Sequence, residues 1–309
     1  MKTSTPLATP AASRYPFVLV LCVIAPAVAL AAAILYGSAM QYRETLRHEL
    51  QQSADLLAAE VDAELGRSVA ALKVLAMSNT LQQGDLRGFY ALATRTVRAD
   101  PTWNNVQLVS IEGEQLVNVR LPFGTPLPPL NRPELPLQAV YKREPVVADL
   151  AMGVVAQRML TPIYVPVFRG DEVVYVIAAA IEPPNWQSML RSRLPAGVQA
   201  ALLDRYSFVI TTTYDVPPAA HGSASAASAP PTLPGELSRD FESEGFMEVA
   251  KQKSAFAGWT VVTMMPRDAL AFPQQWLVLA ILSLLLLACA LAIGLGFAYR
   301  ARHARIAQA

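Results

Sequence analysis

The sequence predicts an α+β fold: two small mixed sheets in tandem, led by a long helix and flanked by two transmembrane helices. Three observations lead there. Residues 15–42 and 269–299 carry no charged side chain, and each run can hold a helix of about 20 apolar residues, enough to cross a bilayer core of roughly 30 Å. The 226 residues between them, 43–268, hold all 24 acidic residues. Within that segment a helical apolar stripe gives way to paired runs of β-branched and aromatic residues.

The two apolar runs set the topology. The flanks hold five basic residues (Lys2, Arg14, Arg300, Arg302 and Arg305) and no acid, so the overall charge of +1 conceals a central segment at −4. Basic residues near the ends of a span stay in the cytoplasm. Both termini are therefore expected in the cytoplasm and the central domain on the outer side of the membrane. Neither part is basic enough to suggest nucleic acid. Ala27-Val28-Ala29 resembles a signal-peptidase site, but the apolar run continues past it to Tyr36, longer than a secretory core of roughly 7–15 residues, which favours an uncleaved anchor. The second span, 276–297, has Trp276 and Tyr299 at its edges, where aromatic side chains suit the interface. Small residues recur at Ala25, Ala29, Ala33 and Gly37, and at Ala288, Ala292 and Gly296. Such stripes let helices approach closely in lipid.

Between the spans, Leu46, Leu50, Leu57, Val61, Leu65, Val69, Leu72 and Leu75 recur at spacings of three, four and seven. They predict one long helix with a single apolar stripe, reaching roughly 55 Å if it covers nearly 40 residues. A core-facing stripe and an oligomer seam are both compatible with this pattern. A second helix is expected over 85–99, stopped by Asp100-Pro101. Residues 106–111 and 116–121 flank Glu112-Gly113-Glu114, a hairpin signal. Six prolines in 122–136 exclude regular structure there, before a short helix over 135–142. Strands at 160–168 and 172–181 flank Arg169-Gly170-Asp171. The plan recurs in reduced form with strands at 200–204, 208–213, 245–251 and 259–264. Residues 216–234, rich in Ala, Ser and Pro, are expected to form a surface loop. The only cysteines, Cys22 and Cys289, fall in the spans, so the central domain must rely on an ordinary hydrophobic core without disulfides.

Catalytic motifs are missing. No G-x-S-x-G elbow, H-E-x-x-H helix or Walker loop occurs. His48, His221 and His303 lie far apart, with no metal-ligand spacing, and no cofactor is expected. Glu60 and Glu64 sit one helical turn apart, as charges on a solvated helix face do.

The order of elements, with particular stretches, resembles the double Cache (PAS-like) periplasmic sensor domains of bacterial histidine kinases and chemoreceptors. The stretches are Trp103-Asn104-Asn105-Val106-Gln107-Leu108, Asn118-Val119-Arg120-Leu121-Pro122-Phe123-Gly124, Val165-Pro166-Val167-Phe168-Arg169-Gly170, Ala201-Leu202-Leu203-Asp204 and Gly258-Trp259-Thr260-Val261. The resemblance implies this division: cytoplasmic tail 1–14, first span 15–37, long helix 38–80, membrane-distal subdomain 81–194, smaller proximal subdomain 195–268, second span 275–298 and tail 299–309. It further implies a sensor of the bacterial inner membrane that binds a small solute in the distal sheet and signals through its membrane helices, as the sensory part of a two-component, histidine-kinase-type system. A homodimer through the long helix is expected. About ten residues follow the second span, too few for a kinase or receptor signalling module, so the chain is expected to be either the sensory part of a longer or split system or a sensor that acts on a separate cytoplasmic kinase or another signalling partner.

Five residues are candidates for the ligand site. Arg120 follows a strand, where a guanidinium suits a carboxylate or phosphate or anchors the following loop. Trp103 is either an apolar pocket wall or core. Asp149, Arg158 and Tyr164 fall where the far wall of the pocket is expected. These point to a small anionic ligand. Residues 140–143 (Val-Tyr-Lys-Arg) are only loosely similar to the arginine–aromatic cluster of the amino-acid-sensing members. The alternative reading is a structural or assembly protein whose periplasmic domain holds a protein partner.

Overall fold

The computed structural model describes residues 15–214 and 246–266, with positions 282, 283, 286, 290, 293 and 294. The expected loop 216–234, both tails, most of the second apolar run, His221 and His303 lie outside the described residues. The chain divides into two compact units. One comprises Met1–Thr45 and Ala271–Ala309. Helix α1, Tyr15–Ala76, begins in this unit and contains Pro26. Leu30, Ile34 and Tyr36 on it are exposed. Among the described residues no helix is long and apolar enough to cross a membrane.

The other unit, Leu46–Leu270, is α+β and is organised by the remainder of α1. Every position of the apolar stripe is buried, from Leu46 at 3% exposure to Leu75 at 6%, so the stripe faces core. From Leu57 to Leu75 it belongs to one hydrophobic cluster that also takes in Val106, Ile163 and Ile177 of a first sheet and Leu202 and Val261 of a second. Polar contacts fix the helix against these sheets, among them a bond from the Thr263 hydroxyl to the Leu50 carbonyl at 2.8 Å. Ser68 Oγ accepts a bond from Trp103 Nε1 at 3.0 Å. The Asp62 carboxylate accepts the Ala255 and Phe256 amides at 2.9 and 3.2 Å, and the Ser254 hydroxyl.

A short helix α2 (Asn79–Gln82) leads to α3 (Leu86–Ala99). Asp85 caps α3 by accepting the Gly88 amide at 2.9 Å. At its other end Pro101 drives Asp100 into extended geometry (φ −117°, ψ 99°), which ends the helix. Phe89 and Ala93 face the core.

The first sheet comprises β1 (Trp103–Ser110), β2 (Gln115–Asn118), β3 (Val146–Val147), β4 (Ala151–Gly153), β5 (Arg158–Arg169) and β6 (Glu172–Ile181). Its order is β2-β1-β6-β5-β3, with β4 on β5, and every pairing is antiparallel. Gly113 at φ +90° makes the β1–β2 turn and Gly170 at φ +61° the β5–β6 turn, conformations that glycine adopts without steric cost. Helix α4 (Glu134–Lys142) packs on the sheet face opposite α1, its Leu135 and Ala139 meeting Val109, Tyr164 and Val176.

Helix α5 (Pro183–Arg193) then connects to the second sheet. No helix was expected there, and it opens on Pro183-Pro184. Proline is well suited to a helix's first turn, where its missing N–H has no partner to lose. Strands β7 (Gln199–Leu203), β8 (Val209–Thr212), β9 (Phe246–Lys253) and β10 (Thr260–Pro266) pair antiparallel in the order β8-β7-β10-β9. The β7–β8 turn has no glycine. Ser207 takes the left-handed conformation there, at φ +67°.

Candidate functional site

The α4 face of the first sheet holds a small cleft of about 70 Å³. Strand alternation builds its floor. On β1, Val106 and Leu108 point into the α1 core while Asn105 and Gln107 line the cleft. Register sets Asn105 and Pro162 beside Ala180, and Gln107 and Tyr164 beside Ala178. The alanines of β6 leave the depression that larger side chains would fill. Gln115 and Asn118 of β2 extend the floor, and Asn131, Arg132, Leu135 and the 151–156 segment form the rim.

The polar groups of the floor are only partly engaged by the protein. Asn118, 3% exposed, donates to Gln115 Oε1 at 3.0 Å and accepts the Arg120 amide at 3.1 Å. Gln115 in turn donates to the Pro128 carbonyl at 2.7 Å, tying the proline-rich loop to the cleft. Asn105 is 6% exposed, yet its Oδ1 has no hydrogen-bond partner. A buried amide oxygen left unpaired costs about 1–3 kcal/mol, so it marks a place where a donor from elsewhere is favoured. Tyr164 is 4% exposed, and burial pushes its hydroxyl well above the ordinary tyrosine range, so it stays a neutral donor and acceptor. Arg132 Nε donates to Glu134 at 2.9 Å, and this bond holds the Glu134 carboxyl below the usual carboxylate value.

Of the five residues singled out in the sequence, Tyr164 lines the cleft and the other four lie elsewhere. Trp103 is 2% exposed in the α1 core. Arg120 is exposed and donates to Asn104 Oδ1 at 3.0 Å. Asn104 donates in turn to Glu182, which also pairs with the exposed Arg158 at 3.5 Å. Arg120 and Arg158 are thus joined in one surface network at the sheet edge. Asp149 faces the second sheet. It accepts Arg205 Nε at 3.0 Å on each oxygen and Trp259 Nε1 at 3.2 Å, while Arg205 Nη2 reaches the Val147 carbonyl at 2.8 Å.

The cleft amides were missed, although a signal for them exists. Asn105 and Gln107 alternate with Val106 and Leu108 in a strand buried on both sides, and a polar residue at such a position needs a partner or a ligand. Among the described residues no cluster of His, Cys, Asp or Glu could hold a metal ion.

No protein-family model matches the chain, and no curated protein sequence matches it. Solved structures do resemble it. The sensor domain of the V. cholerae histidine kinase DctB superposes with a TM-score of 0.52 at 12% identity, covering 73% of this chain and 98% of that one. The ligand-binding domain of the Pseudomonas aeruginosa PAO1 amino acid chemoreceptor PctB, in complex with L-arginine, gives 0.54 at 13% identity, covering 74% and 98%. That of the Campylobacter jejuni chemoreceptor Tlp3, in complex with L-norvaline, gives 0.52 at 12%, covering 74% and 94%. The chain thus carries the Cache-type fold of the sensor domains of histidine kinases and chemoreceptors.

Proposed function

We propose that this chain is a membrane-anchored extracytoplasmic sensor that binds a small anionic solute in the cleft of its first sheet. The observation that carries the reading is the polar floor itself, with Asn105 Oδ1 buried and unpaired and Tyr164 lining the same cleft. Arg132 supplies the cleft's guanidinium, a group suited to carboxylates. The PctB and Tlp3 domains, which share the fold, are complexes with amino acids, which supports a small-molecule ligand.

The uncharged runs 15–42 and 269–299 support anchoring. So do the exposed apolar side chains Leu30, Ile34, Leu282, Leu286 and Ile293, which lipid would cover. A homodimer through α1 is favoured by an exposed heptad seam opposite the buried stripe. Leu56, Ala63, Ala70 and Met77 recur every seven residues, interleaved with Gln52, Ala59, Gly66 and Lys73, the a/d spacing of a coiled coil. The ligand signal would pass from the rim segment 151–156 through the adjoining Asp149 to the second sheet, and on through the membrane helices to a kinase-type partner. Such a signal needs a ligand with different affinities for two states.

Thermal unfolding of the full chain in detergent, against carboxylates, amino acids, phosphates and sugars, tests the reading. A solute at 100 times its dissociation constant is expected to add about 2.7 kcal/mol. Absence of any shift would remove the solute-sensor assignment and favour a protein partner.

A further inference from the structure

We infer that the cleft recognises a hydroxy acid and discriminates against the amino acid of the same shape, an inference that rests on the sensor reading above. The chemistry of the lining residues carries it. Among the described residues, the polar ones are five carboxamides (Asn105, Gln107, Gln115, Asn118 and Asn131), the Tyr164 hydroxyl and the Arg132 guanidinium. No aspartate, glutamate or lysine lines the cleft. A carboxamide both donates and accepts, which is the pattern of a hydroxyl group. An ammonium donates three bonds, accepts none and carries a charge, so its strongest partner in a buried site is a carboxylate.

The lining of the cleft holds no carboxylate. Asp149 is turned to Arg205 and Trp259. Glu134 is engaged by Arg132 and stands outside the lining. Tyr164 is held neutral by its burial. A hydroxyl, by contrast, satisfies the Asn105 oxygen by donating and takes an amide N–H of Gln107 by accepting. The carboxylate of the same molecule meets the free Nη groups of Arg132, leaving its Nε on Glu134.

Matched pairs that differ only in this group make the test: glycolate and glycine, L-lactate and L-alanine, D-glycerate and D-serine, L-malate and L-aspartate. Each is titrated calorimetrically into the full chain in lipid nanodiscs. At least one hydroxy acid is expected to bind, with its amino partner weaker by about tenfold or more. Gln107→Glu, an isosteric change at a half-buried position, supplies the missing carboxylate and is expected to narrow or reverse that ratio. Equal or tighter binding of the amino member in every pair that binds overturns the inference and leaves the sensor reading standing. So does binding of phosphates or sugars when none of the pairs binds. A chain that binds no small solute overturns both.

Discussion

Asp149 and Arg205 meet across the junction of the two sheets, with Arg205 Nε 3.0 Å from both carboxylate oxygens. Asp149 Oδ1 also accepts the Arg205 amide at 3.2 Å and Trp259 Nε1 at 3.2 Å. Two residues further on, Ala151 lines the cleft. The junction is therefore covalently adjacent to the rim that a ligand would touch.

The two ends of this pair are not equivalent. Asp149 is buried, whereas the Arg205 side chain is 43% exposed, so water can replace much of what Arg205 loses. Asp149→Ala is expected to cost about 2–3 kcal/mol, because it leaves the buried Trp259 N–H unpaired. Arg205→Ala is expected to cost about 2–3 kcal/mol as well, because it leaves the buried Asp149 carboxylate without its counter-charge. Urea denaturation of the two single variants and the double variant measures this, and the sum should not be additive. Additive losses would mean that the contact contributes nothing to joining the sheets.

Trp186 and Trp259 stack edge to face with centroids 5.6 Å apart. Trp186 Nε1 donates to Thr161 Oγ1 at 2.8 Å, and that hydroxyl donates to the Ile181 carbonyl at 3.2 Å. Thr161→Val keeps the shape and removes both bonds in a site with 0% exposure. A loss of about 1–3 kcal/mol is expected, with Thr161→Ser costing less. Thermal denaturation of both variants distinguishes the hydroxyl from the methyl group.

Asp204 sets a pH dependence. Burial pushes its carboxyl above the ordinary range, partly offset by the Phe208 and Tyr206 amides it accepts, and the neighbouring Asp149 raises it further. The folded value lies above the unfolded one, so the folded state binds more protons in the window between them. Stability should therefore rise as pH falls through that window, with a slope of at most about 1.4 kcal/mol per pH unit. Asp204→Asn keeps one acceptor and removes the ionisation. Its unfolding midpoints, followed from neutral to acid pH, should show a flatter profile and no loss at neutral pH.

The α1 seam makes a geometric prediction. In a background without Cys22 and Cys289, Ala63→Cys should form a disulfide-linked dimer in the membrane on mild oxidation. A cysteine at Val61, buried at 0% exposure, should not. Equal crosslinking at both positions would exclude the seam as a specific interface.

How much of this was legible in the sequence depends on how local the signal is. The α1 stripe, the Asp85 cap and the glycine hairpins at Gly113 and Gly170 follow from periodicity and turn chemistry within a few residues. Helix α5 was missed although it opens on Pro183-Pro184, residues suited to a first turn, and β3 and β4 were hidden because two or three residues carry no period. The cleft was harder still. Asn105, Ala180, Pro162 and Tyr164 become neighbours only through strand register, which no local pattern states. Arg120 drew notice as a charge beside a proline-rich loop, and its exposed guanidinium donates to Asn104.

The central claim is that the amide-lined cleft is a solute site, and binding to wild-type and Gln107→Leu chains tests it most directly. Gln107 is only half-buried, so the substitution should leave ligand-free unfolding within about 0.5 kcal/mol of wild type. A solute that stabilises the wild-type chain by about 2.7 kcal/mol at 100 times its dissociation constant should then give little or no shift in the variant. A solute that stabilises both chains equally would contradict the site, and a wild-type chain that no solute stabilises would contradict the function.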